Sequence, residues 1–550
     1  MTAPMRRRDF MRLAGGVLAA GAAGAALGGC SGSQRAAGAP VKARSTLEPP
    51  STAAPTTAVT TTTLVPGAPT AADWASLAKM LHGDLVLPTS AGYVTDAHGY
   101  NPLFDSTRPQ AIAYVASAAD VSTAVAFGRE HGVPLSIRSG GHCYGGWSTG
   151  SGLVIDVSVL NAVSVDPAGR TVSAGAGTHL VDFYAGLAPH SLAVPGGSCP
   201  TVGLAGLTLG GGLGVLGRQF GLTCDNLVAA DIVLASGDVV TASATSSSDL
   251  FWALRGAGAG NFGVVTTLHF AAHPIGELGL FTLVWQWADA ARVIAAWQAW
   301  APLAPDALWS NCLLFASQVT PSGYGPVARV TGVYVGSEPA VEAELQPFLS
   351  AVGSEPFTRF VGTAGYADTM MIEAGCESDS VAECHLPTEN PAGILQRAPF
   401  AAKSDIMTRP ASAAAISAML AAVEARQASP VLSGGGIALD ALGGAINRVP
   451  ADATAFVHRD GLYVVQYGAG WPTGAAASVV AANQQWLGTV WESMRGFVSG
   501  QAYQNYADPS LPGWAKAYYG ANLARLQQVK VKYDPEDVFK FAQSVPVGSD

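Results

Sequence analysis

The sequence predicts an α+β chain of two domains. Three observations carry this reading. Short strand-like runs alternate with helical spacings from residue 71 onward. A glycine-dense tract breaks the alternation at 195–221. After Phe270 the composition shifts to helical stretches rich in Trp, Phe and Ala, set between further strand-like runs. Charged residues are only 12% of the 550 against an ordinary ~25%, while 49% are hydrophobic. That balance excludes an intrinsically disordered chain. Net charge is −10, and no basic run lies beyond the leader, which excludes a nucleic-acid binder.

The first thirty residues read as an address. Arg7-Arg8-Asp9-Phe10-Met11 is a twin-arginine signature ahead of an uncharged stretch, 13–29, that is too short and too weakly apolar to span a bilayer. Leu27-Gly28-Gly29-Cys30 resembles a lipoprotein cleavage site, with Cys30 the acylated first mature residue; the other reading is an ordinary signal-peptidase site with Cys30 incidental. Residues 31–70 are Ala, Thr, Ser, Pro and Gly with almost no large apolar side chain, the composition of a disordered linker. The expected location is therefore outside the cell or in its envelope. The only membrane tie is a lipid at Cys30, and the partner in transit is the twin-arginine machinery. That route carries folded proteins, often with a cofactor installed, which favours a redox enzyme.

Within the folded part, 111–115 reads as a strand and 121–130 as a helix stopped by His131-Gly132. Strands follow at 135–138 and 153–157. A strand at 170–174 leads to a helix starting near Leu180. Beyond the glycine-dense tract, alternating apolar residues at 227–234 run into the hairpin turn Ser236-Gly237-Asp238. In the second domain, 290–300 and 411–427 are helical and 462–467 is a strand. Trp285, Trp287, Trp297 and Trp300 offer stacking faces for a sugar, but their helical spacing suits a core better. Cys376 and Cys384, eight apart in a polar stretch, either close a short disulfide loop or remain thiols. No second Cys/His pair there has zinc spacing, so no metal site is expected.

Two constellations carry chemistry. In Arg138-Ser139-Gly140-Gly141-His142-Cys143-Tyr144, a strand runs into Gly-Gly, where backbone can approach a flat or anionic ligand and His142 would stand beside it; the plainer reading is a tight turn with a surface histidine. The second is Gly196-Gly197-Ser198-Cys199-Pro200-Thr201-Val202-Gly203, followed by Gly206 and Gly210-Gly211-Gly212. So many glycines make a poor helix interior and imply backbone packed against a ligand. Residues 212–217 formally match a dinucleotide fingerprint with Asp231 as the ribose acid, but a Gly-broken approach makes that match weak.

Together these tracts resemble the berberine-bridge-enzyme-like family of FAD-linked oxidases, within the vanillyl-alcohol-oxidase type of flavin fold. Further motifs agree: Asp225-Asn226, the run 249–256, Gly260-Asn261-Phe262-Gly263-Val264-Val265, Tyr503-Gln504-Asn505-Tyr506, Tyr518-Tyr519-Gly520-Ala521-Asn522, Arg525-Leu526, and Tyr533-Asp534-Pro535 with Phe539. The similarity spans about 71–546. It implies a PCMH-type FAD-binding fold, with the FAD domain at 71–275, a central α/β substrate domain at 276–500 whose antiparallel sheet is covered by helices, and a segment at 501–550 that returns to the FAD domain. It also implies FAD bonded twice, through His142 at the 8α carbon and Cys199 at carbon 6. Imidazole and thiolate are apt nucleophiles for that ring. Cys143 is the rival thiol. Cofactor contacts are expected from Arg138, Ser139, Gly140, Gly141, Val202, Gly203, Gly206, Gly210, Gly211, Gly212, Gly260, Asn261, Val265, Tyr519 and Asn522.

The implied activity is oxidation of a small alcohol or carbohydrate hemiacetal, with oxygen as acceptor and hydrogen peroxide as product. Tyr503 or Tyr506 is the expected base, and Tyr144, Gln466 and Tyr467 are expected to line the same site. Free tyrosine titrates near ~10, so a tyrosine base needs a neighbour that stabilises phenolate. Some relatives supply a second Tyr after the triple Gly; this chain has Leu213 there, which leaves that neighbour unassigned. Val202 stands where a Val accompanies oxygen reactivity and a Leu its loss. The alternatives are a dehydrogenase that hands electrons to a quinone or other carrier, and a non-catalytic flavin- or substrate-binding lipoprotein.

Overall fold

The computed structural model describes residues 67–432 and 434–548. The leader, Cys30 and all but the last four linker residues lie outside the described residues. Structure begins at the helix Ala71–Met80, whose capping Thr70 accepts a hydrogen bond from Asp73 N and meets the Asp73 carboxylate in return.

Three main sheets organise the chain. The first has the spatial order Asp84–Val86, Ala111–Tyr114, Leu153–Asp156, Leu135–Arg138, its last three strands parallel. The helix Ala118–His131 carries the chain from Ala111–Tyr114 across to Leu135–Arg138, and Leu153–Asp156 then pairs between them. Ser117 caps the helix by accepting from Asp120 N, and Gly132, at φ +63°, ends it in the left-handed region. The second sheet is antiparallel, in the order Val163–Asp166, Thr171–Gly175, Val264–Ala271, Leu227–Val233, Val239–Ser243. The third has seven antiparallel strands, all between Leu278 and Gly470.

In the seven-stranded sheet the period of two decides what each residue does. Along Leu308–Thr320, the side chains of Leu308, Cys312 and Leu314 join a core under the helices Ala290–Trp300, Glu338–Val352, Ala413–Ala428 and Ala477–Ser493. Trp309, Asn311, Leu313 and Phe315 face the other way and line a cavity. Trp285 and Trp297 are fully buried in the helix-side core, and their indole N–H groups donate to Ser354 O and Ser310 Oγ. Trp287 and Trp300 pack at its margin, so the tryptophans are core residues and offer no sugar platform.

The glycine-dense tract is not wholly loop. A six-residue helix, Leu204–Leu209, forms where Gly206 is the one glycine among the six, and glycine sets the turns around it. The weak dinucleotide match fails. Residues 212–217 follow that helix, not a strand, and Asp231 sits inside strand Leu227–Val233, accepting from Thr241 Oγ1 (2.6 Å) and facing His269 Nε2 (3.1 Å). Cys376 and Cys384 form a disulfide. Among the described residues, no helix is long and apolar enough to cross a membrane.

The C-terminal residues return to the first part of the chain. Lys530, on the helix Leu523–Tyr533, is fully buried; its Nζ donates to Asp534 Oδ2 (2.6 Å), Asn261 O (2.9 Å) and Phe539 O (2.8 Å). Val545 N donates to Asn261 Oδ1 (2.8 Å). A second tie crosses to the large sheet: the buried Arg218 guanidinium donates to the carbonyls of Leu308 (2.7 Å) and Pro302 (3.1 Å). Removing one partner of a buried pair strands the other charge, at ~3–5 kcal/mol. Lys530→Met is therefore expected to lower the unfolding free energy read from urea denaturation by that order, whereas Lys532→Met on the exposed side of the same helix should leave it nearly unchanged.

Candidate active site

A cavity of about 1510 Å³ runs between the glycine-rich loops and the free face of the seven-stranded sheet. It exceeds the ~300–1,000 Å³ of an ordinary ligand pocket and has room for a cofactor and a substrate together. On one wall, strand Leu135–Arg138 ends in the Ser139-Gly140-Gly141 turn, which packs directly on the Thr201-Val202-Gly203 loop. A Cβ on Gly140 would run into Gly203 N and Thr201 O, and one on Gly203 would strike Ser139 Oγ. Gly141 has φ +70°, in the region glycine favours.

That contact brings both proposed attachment residues to one wall. His142 Nε2 lies 2.8 Å from Thr201 Oγ1, and its ring stacks on Tyr100 at 3.9 Å between centroids. Burial, with the nearby His179, pushes the His142 pKa down to about 3, so the imidazole is neutral and keeps a nucleophilic lone pair. Cys199 is half-buried on the same wall. Burial pushes the Cys143 thiol up, which leaves it a poorer thiolate source.

Tyrosines and carboxyls line the rest of the cavity. Tyr503 is buried; its Oη accepts from Asn505 Nδ2 (2.9 Å), Gly212 N (3.0 Å) and Leu213 N (3.3 Å). The backbone N–H groups at the end of the triple glycine thus meet the phenol oxygen that the sequence left without an assigned neighbour. Burial still outweighs them and pushes the Tyr503 pKa to about 12. Tyr506 stacks on Tyr144 at 5.4 Å and meets Tyr503 edge-on at 4.9 Å. Burial, and then Asp440, hold its pKa well above the usual value. Gln466 Nε2 donates to Tyr144 Oη (3.2 Å).

Asp440 is the residue that sequence reasoning missed. It lines the cavity on strand Gly435–Ala441, and burial pushes its pKa up to about 7. Asn311, itself held by Thr331 Oγ1 (2.6 Å), stabilises its charged form. Glu373 lines the same cavity and is raised by burial and by Asp440. The available signal was a lone acid in the apolar run Ile437-Ala438-Leu439-Asp440-Ala441-Leu442.

Comparisons with known proteins agree with this geometry. Residues 109–243 match the FAD binding domain model, and 502–546 match the berberine and berberine-like model. The uncharacterized FAD-linked oxidoreductase YgaK of Bacillus subtilis is 34% identical, over 80% of this chain and 91% of its own length. The chain belongs to the berberine-bridge-enzyme-like FAD-linked oxidoreductases. Chitooligosaccharide oxidase of Gibberella zeae is 30% identical, over 83% of this chain and 91% of its own length. The structure of BBE-like 1 from Physcomitrella patens superposes with a TM-score of 0.79 at 30% identity, covering 87% of this chain and all of that one. The fold is accordingly the PCMH-type flavin fold, α+β, with an antiparallel sheet backed by helices.

The residues fit the FAD of this berberine-bridge-enzyme-like family. A Cβ on Gly206 would meet nothing, so that backbone is open, and Ser139, Gly140, Gly141, Val202, Gly203, Gly260, Asn261, Val265 and Tyr519 also line the cavity. Other expected contacts are corrected. Arg138 is buried in an ion pair with Asp156 and fixes the strand before the turn. Cβ atoms on Gly210, Gly211 and Gly212 would strike Asn505, Phe456 and Thr223, so these glycines admit protein instead of ligand. Asn522 donates to Ala451 O (2.8 Å) and Thr454 O (3.1 Å). Gln466 lies behind Tyr144, outside the cavity lining. Tyr467, one residue further on, faces the helices and donates to Asp405 Oδ2 (2.9 Å), because neighbours on a strand point to opposite faces.

Asp440 gives a pH test. An acid whose pKa is raised in the fold binds more protons folded than unfolded, so stability falls as pH rises from near 3.8 to about 7 and is level above. In the flavin-loaded protein, Asp440→Asn should therefore gain melting temperature over the parent at pH 8 and lose most of that gain at pH 4. Scanning calorimetry at the two pH values checks it.

Proposed function

We propose that the protein is an exported oxidase that takes an alcohol or sugar hemiacetal to the carbonyl level with oxygen as acceptor, yielding hydrogen peroxide. One observation carries this reading: a glycine-built wall bearing His142 and Cys199 shares a single cavity with Asp440 on the sheet face, Tyr144 on the loop that follows His142, and Tyr506 on the C-terminal segment. FAD, when bound, supplies the hydride acceptor. His142 and Cys199 would hold it covalently. The likeness to chitooligosaccharide oxidase supports a carbohydrate as donor.

The chain's own residues supply the proton chemistry. A general base works best with a pKa near the working pH. Asp440, at about 7, meets that condition better than Tyr503 at about 12, and takes the hydroxyl proton as the donor carbon gives up hydride. Tyr506 and Tyr144 present a stacked pair of rings to the donor. Tyr503, gripped by three N–H donors, sets the position of the triple-glycine turn. Val202 sits beside Cys199, where its short side chain leaves oxygen access. The twin-arginine leader and Cys30 support export with a lipid tether.

Attachment is tested by acid precipitation. Flavin should stay with the pellet in the parent and in His142→Ala or Cys199→Ala alone, and leave it in the double variant; free flavin from the parent would remove covalent attachment from the reading. Stopped-flow half-reactions test the chemistry. Asp440→Asn should slow anaerobic reduction by the cognate donor ~10²–10⁴-fold, with Tyr503→Phe affecting it less. Val202→Leu should slow reoxidation by oxygen while leaving reduction nearly unchanged. A parent that releases no peroxide, yet is bleached by the donor, points to a dehydrogenase instead.

A further inference from the structure

Outside the cavity, two short segments converge on a cluster that the oxidation chemistry does not use. His179 precedes the helix Leu180–Leu187, which carries Asp182 in its first turn. His385 and Glu389 follow the Cys376–Cys384 disulfide. One ligand atom each from His179, Asp182 and His385 lies within 4.8 Å of the other two. His385 Nε2 is 3.1 Å from Asp182 Oδ2, and His179 Nε2 is 3.8 Å from Glu389 Oε1.

The partners of these groups leave the right atoms facing inward. His385 Nδ1 lies 2.9 Å from Val381 O, which can only accept, so Nδ1 carries the proton and Nε2 can present a lone pair. Glu389 Oε2 accepts from Leu386 N (3.1 Å), and Oε1 is the oxygen turned to His179. The side chains of His179, His385 and Glu389 are 11%, 6% and 17% exposed, whereas Asp182 is 43% exposed and marks the way in.

We propose that His179, Asp182, His385 and Glu389 form a binding site for one divalent cation of the zinc type. Two imidazoles and two carboxylates are a donor set that zinc accepts in tetrahedral geometry. Ligands at ~2.0–2.2 Å from a tetrahedral ion stand about 3.3–3.6 Å apart, so the 3.1 and 3.8 Å pairs need shifts of a few tenths of an ångström; among His179, Asp182 and His385 no pair needs to close by much more than about an ångström, and Glu389 swings in from beside His179 to complete the set. The pattern His-x2-Asp followed by His-x3-Glu carries this spacing, and a search for paired Cys and His alone passes over it. The ion would pin the disulfide segment to the glycine-built wall: His179 bridges Gly203 in an isolated β-bridge, Leu180 N donates to Val202 O (3.1 Å), and Val181 N donates to Pro200 O (3.0 Å).

The flavin-loaded protein, stripped with a chelator and dialysed, is titrated with Zn2+ by calorimetry and with Co2+ by visible absorption at wavelengths beyond the flavin bands. The expected result is one equivalent per chain, tetrahedral cobalt bands, and a zinc-dependent rise in melting temperature. His385→Gln should weaken binding at least ~100-fold. Asp182→Asn, on the exposed side, should weaken it ~10-fold and keeps the test valid if the histidine variant does not fold. Absence of stoichiometric uptake, or equal uptake by the parent and both variants, would overturn the proposal and leave the Asp182–His385 contact as a plain ion pair.

Discussion

The contact between two glycine turns governs the rest of the molecule. Gly140 and Gly203 sit so close that neither tolerates a Cβ, and the contact fixes the loop after Leu135–Arg138 against the loop before Leu204–Leu209. Everything on this glycine-built wall follows from it: the hydrogen-bond distance from His142 to Thr201, the placement of Val202, and the presence of Cys199 on the same surface. Arg138 and Asp156, paired beneath the turn, hold the strand end that feeds it. The wall is thus set by backbone packing, and only then does its chemistry arise.

The opposite wall obeys a different rule. A sheet with helices on one face has its other face available, and strict alternation sorts its residues between core and cavity. Asp440 and Gln466 are on the side away from the helices, while Leu439 and Tyr467 are in the helix-side core. Burial on the cavity side makes the Asp440 carboxyl hard to ionise, which brings an ordinary acid into the range of neutral pH. Tyr503 shows the converse: donors on its oxygen favour phenolate, but complete enclosure opposes it more strongly.

Much of this could be read from the sequence where local rules hold. The helix at 118–131, with Gly132 at its end, the strands at 135–138 and 153–156, and the helix Ala290–Trp300 follow from spacing and stop signals. The Gly-Gly-His and Cys-Pro-Thr-Val-Gly motifs pointed to backbone packed closely around a ligand space, and their two loops do meet along one cavity wall. Three things were out of reach. Glycines that face protein, such as Gly212 against Thr223, look the same in sequence as Gly206, which faces open space. Tyr467 was placed in the site because a strand's register cannot be fixed from one segment. Asp440 and Glu373 are 67 residues apart in sequence, and only the folded sheet brings them to one cavity.

Because Lys530 grips Asn261 and Phe539, and Tyr503 grips the triple-glycine turn, the chain's last fifty residues complete a chamber begun by its first half. A nascent chain still lacking that tail has an open, unsealed groove at 139–265. Any truncated product would be built with its flavin groove unfinished, however well its first sheets had formed.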